Sequence, residues 1–96
     1  MYYMYVLKMV NGKLYIGFTN DIRKRVKEHH NAEVFTTKKF LPVKLIYYEC
    51  YLSNEDARQR ELMLKKFGSS YSHLKHRITN SIKGLQGREH PELDNG

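Results

Sequence analysis

The sequence predicts a small α+β fold, a three-stranded and mainly antiparallel sheet flanked by helices in the order β-β-α-β-α-α. Two observations carry most of that prediction. Residues 2–8 are rich in aromatic and β-branched types, and a second such segment at 14–18 follows the turn-forming pair Asn11-Gly12, which reads as a tight β-hairpin. The most apolar run of the chain occupies residues 43–52, and stretches with helical spacing lie on either side of it.

Each later element has its own signal. A helix is expected over 21–30, because Thr19, Asn20 and Asp21 offer capping oxygens, Ile22 and Val26 mark an inner face, and Asn31 supplies a stop. Residues 31–42 form a basic, polar connection ending at Pro42, which biases Leu41 away from the helical region. Within 43–52, Val43, Leu45 and Tyr47 share one parity and Ile46, Tyr48 and Cys50 the other. Both faces look occupied, so the run reads as a central strand, with Cys50 a core or half-buried thiol.

A second helix starts from Ser53 or Asn54, with Asp56 in place of the usual Glu or Gln of a capping box, and runs to about residue 67, stopped by Gly68. Ala57, Glu61 and Leu64 share one of its sides, and Arg60, Met63 and Phe67 the neighbouring one. A third helix is expected from residue 70 or 71 to about 82, with Leu74, Ile78 and Ile82 on its face. Residues 1–83 thus read as one domain and 84–96 as a frayed, flexible tail.

Composition narrows the partners. There are 17 Lys and Arg against 10 Asp and Glu, a formal charge of +7, which favours a polyanion: nucleic acid or a membrane surface. No run reaches the length of a membrane span and nothing reads as a secretory leader, so the expectation is a cytoplasmic protein with no membrane partner. The single cysteine excludes a disulfide framework and a four-cysteine zinc site. His29 and His30 are adjacent and point apart on a helix, and His73 and His76 lack a third zinc ligand. No glycine-rich phosphate loop occurs.

Polar residues inside apolar patterns are the candidates for chemistry. Tyr5 and Tyr15 lie within the two hairpin segments, where a tyrosine is equally at home as a core residue. Gly17 sits in the returning segment, where a glycine implies close approach of another group or a bulge. Arg25 and His29 lie four apart on one side of the first helix, near its apolar stripe; a guanidinium there can hold a phosphate through two parallel hydrogen bonds, and an imidazole can relay a proton, while plain surface solvation is the alternative for each. Glu61 lies between Ala57 and Leu64 on an otherwise basic helix, able either to hold a hard divalent ion or to pair with Lys65. Two basic sets flank these residues. Arg23, Lys24, Lys27, Lys38 and Lys39 belong to the first, and Lys65, Lys66, Lys75 and Arg77 to the second; such clusters contact phosphates and set position rather than sequence preference.

The spaced set Tyr3-Met4-Tyr5, Tyr15-Ile16-Gly17, the segment from Thr19 to His29 with its arginine and histidine, the strand over 43–50 and Glu61 followed by Leu64-Lys65-Lys66 resembles the GIY-YIG nuclease superfamily, specifically its small stand-alone bacterial members. The resemblance spans about residues 2–80. Tyr3 stands where the family often has glycine, a position at which small members commonly carry an aromatic.

That resemblance implies a metal-dependent endonuclease. It implies Tyr5, Tyr15, Arg25, His29 and Glu61 as catalytic residues, Gly17 as the backbone that lies close to the site, and Asn80 as an accessory candidate. One tyrosine would orient or deprotonate the attacking water, with Tyr5 favoured. Arg25 would stabilise the transferring phosphoryl group, His29 would handle protons or contact phosphate, and Glu61 would hold a single ion, Mg2+ or Mn2+. DNA is the implied substrate, with RNA left open. A chain this short leaves little room for a separate recognition domain, so target choice is expected to come from the domain itself, a homodimer or a partner protein. A non-catalytic nucleic-acid-binding module on the same scaffold is the alternative reading, and repair, mobile-element and toxin roles are not separable by sequence.

Overall fold

The computed structural model describes residues 1–84, and the expected tail from residue 85 onward lies outside the described residues. Its sheet contains β1 (Tyr2–Lys8), β2 (Leu14–Thr19) and β3 (Lys44–Tyr51) in the spatial order β2-β1-β3, with both pairings antiparallel. Gly12 makes the hairpin turn at φ 86°, a left-handed conformation that favours a residue without Cβ. The resulting register sets Tyr5 opposite Gly17 and Leu7 opposite Tyr15.

The central strand is β1, which corrects the reading of residues 43–52 as central. The hairpin puts β2 on one side of β1 and leaves the other side for β3. Met4, Tyr5, Val6 and Leu7 are consequently fully buried in succession, whereas Lys44, Tyr48 and Cys50 of β3 are exposed. Cys50 is therefore neither the core nor the half-buried thiol expected. The aromatic content of β3 has a different cause. Tyr47 and Tyr51 both donate hydroxyl hydrogen bonds to Glu49, and Arg60 closes on the same carboxylate through Nε and Nη2 at 2.9 and 3.2 Å. These tyrosines serve a polar clasp between strand and helix.

Among the described residues four α-helices flank the sheet: α1 (Ile22–His30), α2 (Asn54–Lys66), α3 (Gly68–Arg77) and α4 (Thr79–Lys83). Asp21 caps α1 by accepting from the Lys24 amide at 3.1 Å, and Ser53 caps α2 by accepting from the Asp56 amide at 3.3 Å. The expected third helix is two helices. Gly68 opens α3 directly after Phe67, and the backbone leaves helical geometry at Ile78 (φ −114°, ψ 29°) before α4 begins. Lys8 fixes α4 to the end of β1 by donating its ammonium to the Ile82 carbonyl at 2.8 Å.

Alternation along β1 separates two cores. Met4 and Val6 pack with Ile16, Leu64, Leu74 and Ile78 on the α2–α3 side. Tyr5 and Leu7 pack with Val43, Tyr15 and Ile22 on the α1 side. Burying a side chain such as Leu7 or Leu74 completely contributes about 1.5–3 kcal/mol. The same alternation sends Tyr5, alone among the aromatic residues of β1, fully buried under α1.

Candidate active site

The site begins with a backbone constraint. Tyr5 projects toward its register partner Gly17, and a Cβ on Gly17 would overlap the Tyr5 ring at Cζ and Cε1 and its hydroxyl oxygen. The ring occupies space that only glycine leaves free, so the phenol is seated against the edge strand β2.

The last turn of α1 supplies the next group. His29 is fully buried, and its Nε2 lies 2.9 Å from the Tyr5 hydroxyl. Its Nδ1 lies 2.8 Å from Oγ1 of Thr37, which is also fully buried. The rings of Tyr15 and His29 meet edge to face with centroids 5.1 Å apart, and those of Tyr5 and Tyr15 are 6.2 Å apart. Burial lowers the His29 pKa to about 4, with the Arg25 charge acting in the same direction, so the imidazole is neutral at pH 7.

Arg25 stands one turn earlier on α1, half-buried, and donates through Nη1 to Glu28 Oε1 at 3.0 Å. Its charge also reaches the Tyr5 phenol. Burial pushes the Tyr5 pKa up to about 12; hydrogen bonding and charge from Arg25 oppose the rise, while Tyr15 and the Glu61 carboxylate add to it. One buried phenol therefore feels both strands, α1 and α2 at once.

Glu61 reaches this field from α2, where it is buried beside Ala57 and Leu64. Lys65 donates to its Oε2 at 2.8 Å, and Arg58 approaches its Oε1 at 3.4 Å. Arg58 also stacks its guanidinium 4.7 Å above the Phe18 ring, which ties α2 to β2. The ion pair with Lys65 and the inward-facing carboxylate are thus compatible. Among the described residues no group of three or more His, Cys, Asp or Glu could hold a metal ion. A single carboxylate does not fit zinc. It fits a hard cation such as Mg2+, which keeps several waters and takes its remaining ligands from substrate phosphate.

Two concavities lie along β2 on either side of Gly17. One, of about 380 Å³, is lined by Phe18, Thr19, Asn20, Lys24, Arg25 and Asn54, among others. The other, of about 470 Å³, is lined by Tyr15, Ile16, Thr36, Leu64, Lys65 and Tyr71, among others.

The geometry brings Tyr5, Tyr15, Gly17 and His29 into contact, and the charges of Arg25 and Glu61 reach the Tyr5 phenol from α1 and α2. Asn80 is exposed on α4, and no side-chain hydrogen bond links it to them. Arg23, Lys24, Lys27, Lys38, Lys39, Lys65, Lys66, Lys75 and Arg77 are all exposed. Thr37 is the residue that sequence reasoning missed. It sits in an aperiodic polar connection, and its spacing of eight from His29 has no meaning until that connection folds back over the helix end.

The domain is of a nuclease type, as its family match shows. The chain belongs to the GIY-YIG family: the model of the GIY-YIG catalytic domain matches residues 1–75. The family is part of an endonuclease superfamily that acts on nucleic acids and generally uses divalent metals. A UPF0213 protein of Bacillus licheniformis is 44% identical over 66 residues, 68% of each chain. UPF0213 proteins of Bacillus pumilus and Streptococcus pneumoniae are 40% and 43% identical over 65 residues, 67% of this chain and 66% of theirs. The solution NMR structure of a UPF0213 protein from Bacillus halodurans is 27% identical, with a TM-score of 0.45 and coverage of 93% of this chain and 89% of that one. No helix among the described residues is long and apolar enough to cross a membrane.

Proposed function

We propose that this protein hydrolyses phosphodiester bonds in DNA with one divalent metal ion, using the residues gathered along β2. The observation that carries the proposal is the seating of the buried Tyr5 phenol against Gly17, Tyr15 and His29; burial dominates its raised pKa, and the charges of Arg25 and Glu61 also reach it. Residues from two strands and two helices act on one small volume, as phosphoryl transfer requires.

Glu61 would hold the ion, Mg2+ or Mn2+, which when bound supplies positive charge to a phosphate oxygen and the leaving group. Arg25 meets the phosphate from the first concavity and balances the charge that develops on phosphorus. Tyr15, half-buried and lining the second concavity, is the phenol that faces the attacking water. Tyr5 has no exposed surface and keeps its proton at neutral pH, so it backs the site rather than serving as its base. That assignment moves the base from Tyr5, favoured by sequence, to Tyr15. Neutral His29 holds Tyr5 in place. The strand would run along β2 through both concavities, with Lys24 and Lys65 on its phosphates.

The non-catalytic module is favoured by one observation: both Glu61 oxygens already face cations, Arg58 and Lys65. A panel of end-labelled duplex, flap, junction and single-stranded DNA, with RNA alongside, separates the readings. Cleavage that appears with Mg2+ or Mn2+ and vanishes with chelator supports the enzyme. Salt-sensitive binding without any cleavage supports the module.

A further inference from the structure

We infer that Thr37 is a positioning residue that fixes the tautomer of His29 and, through it, the direction of the hydrogen bond to Tyr5. The inference rests on the proposed site but concerns a residue to which neither the sequence nor the family comparison gave a role.

The chain of contacts is short and dry. Thr37 Oγ1, His29 Nδ1, His29 Nε2 and the Tyr5 hydroxyl follow one another at 2.8 and 2.9 Å across the ring, and all three residues have no exposed surface. Water is not available to repair a mismatch, so each ring nitrogen of His29 needs its partner within the chain. A neutral imidazole has one N–H and one bare nitrogen, and the partner of either nitrogen decides which is which.

Directionality follows from the two hydroxyls. Each can donate or accept, and a phenol is a far better donor than an aliphatic alcohol. Tyr5 therefore directs its O–H to His29 Nε2. Nε2 is then the bare nitrogen, and Nδ1–H donates to Thr37 Oγ1. Thr37 supplies the acceptor that this tautomer requires, and its loss would leave a buried N–H without a partner.

Nitrogen-detected NMR of the His29 ring reads the tautomer without reference to activity. In the parent protein Nδ1 is expected to carry the proton and Nε2 to be bare. Thr37→Val, nearly the same shape without the hydroxyl, is expected to shift the proton to Nε2. Thr37→Ser is expected to restore the parental pattern. On a cleaved substrate, Thr37→Val is expected to lower kcat about 10- to 100-fold with KM nearly unchanged, and Thr37→Ser to recover most of it. A parent ring protonated at Nε2 overturns the inference, and it does so even if the valine variant fails to fold. A parent ring protonated at Nδ1 in a protein that cuts nothing supports the chain and counts against the proposed hydrolysis alone.

Discussion

The ring of Tyr5 occupies the space that a side chain on Gly17 would need. Neither residue can yield, since Tyr5 is fully buried between β2 and α1 and Gly17 is locked in register opposite it. Gly17→Ala is therefore expected to destabilise the fold by about 1–3 kcal/mol, the usual cost of overpacking a filled core. Urea unfolding followed by circular dichroism measures it, and a change below about 0.5 kcal/mol would show that the ring moves aside freely.

His29 gives the fold a specific acid sensitivity. Its pKa falls from the ordinary 6.5 to about 4, because burial penalises the imidazolium and Arg25 repels it. Between those values the unfolded chain binds a proton that the folded chain refuses, so stability falls as pH drops from about 6.5 toward 4. His29→Gln is expected to flatten that part of the stability-against-pH curve. An unchanged slope in the variant would place the acid sensitivity elsewhere.

Below that window a second group takes over. Glu49 is partly desolvated, which alone would raise its pKa, but hydrogen bonds from Arg60, Tyr51 and Tyr47 outweigh burial and lower it. Its folded pKa is depressed, so its stabilisation is full above the ordinary glutamate range and is lost as pH falls through the folded value. Glu49→Gln is expected to cost about 1–3 kcal/mol at pH 7 and less at pH 3. Thermal melts of parent and variant at the two pH values check both statements; an equal difference at both would exclude the charge as the cause.

Salt tests the basic surface. Nucleic-acid binding is expected to weaken steeply between 50 and 200 mM salt, as counterion release dictates, by about 10³-fold if six phosphates are contacted. Replacing Lys24 or Lys65, which line the two concavities, is expected to shallow the logarithmic slope by about one unit each on B-form DNA. Fluorescence anisotropy across a salt series reads the slope. Slopes unaltered in both variants would move the nucleic-acid path off β2.

Sequence carried the local parts of this account and lost the long-range ones. Asn11-Gly12 announced the hairpin, and the hairpin register is what brings Tyr5 to Gly17. The inner side of α2 was legible too, since Ala57, Glu61 and Leu64 are its buried residues. Strand order was not, because an apolar run looks alike whether it is covered by strands on both edges or spends its tyrosines on Glu49. The break at Ile78 was hidden as well: its apolar spacing continues through a residue whose backbone is not helical. Thr37 escaped because its partner is eight residues away across an irregular connection.

The most direct measurement is the single-turnover cleavage rate of Glu61→Gln against the parent, with Mg2+ and excess protein on the best-cut DNA. Glutamine keeps the shape of Glu61 but not the charge that would hold the ion. The account predicts a rate at least about 100-fold lower with DNA affinity and melting temperature nearly unchanged. Parental cleavage by Glu61→Gln would contradict it.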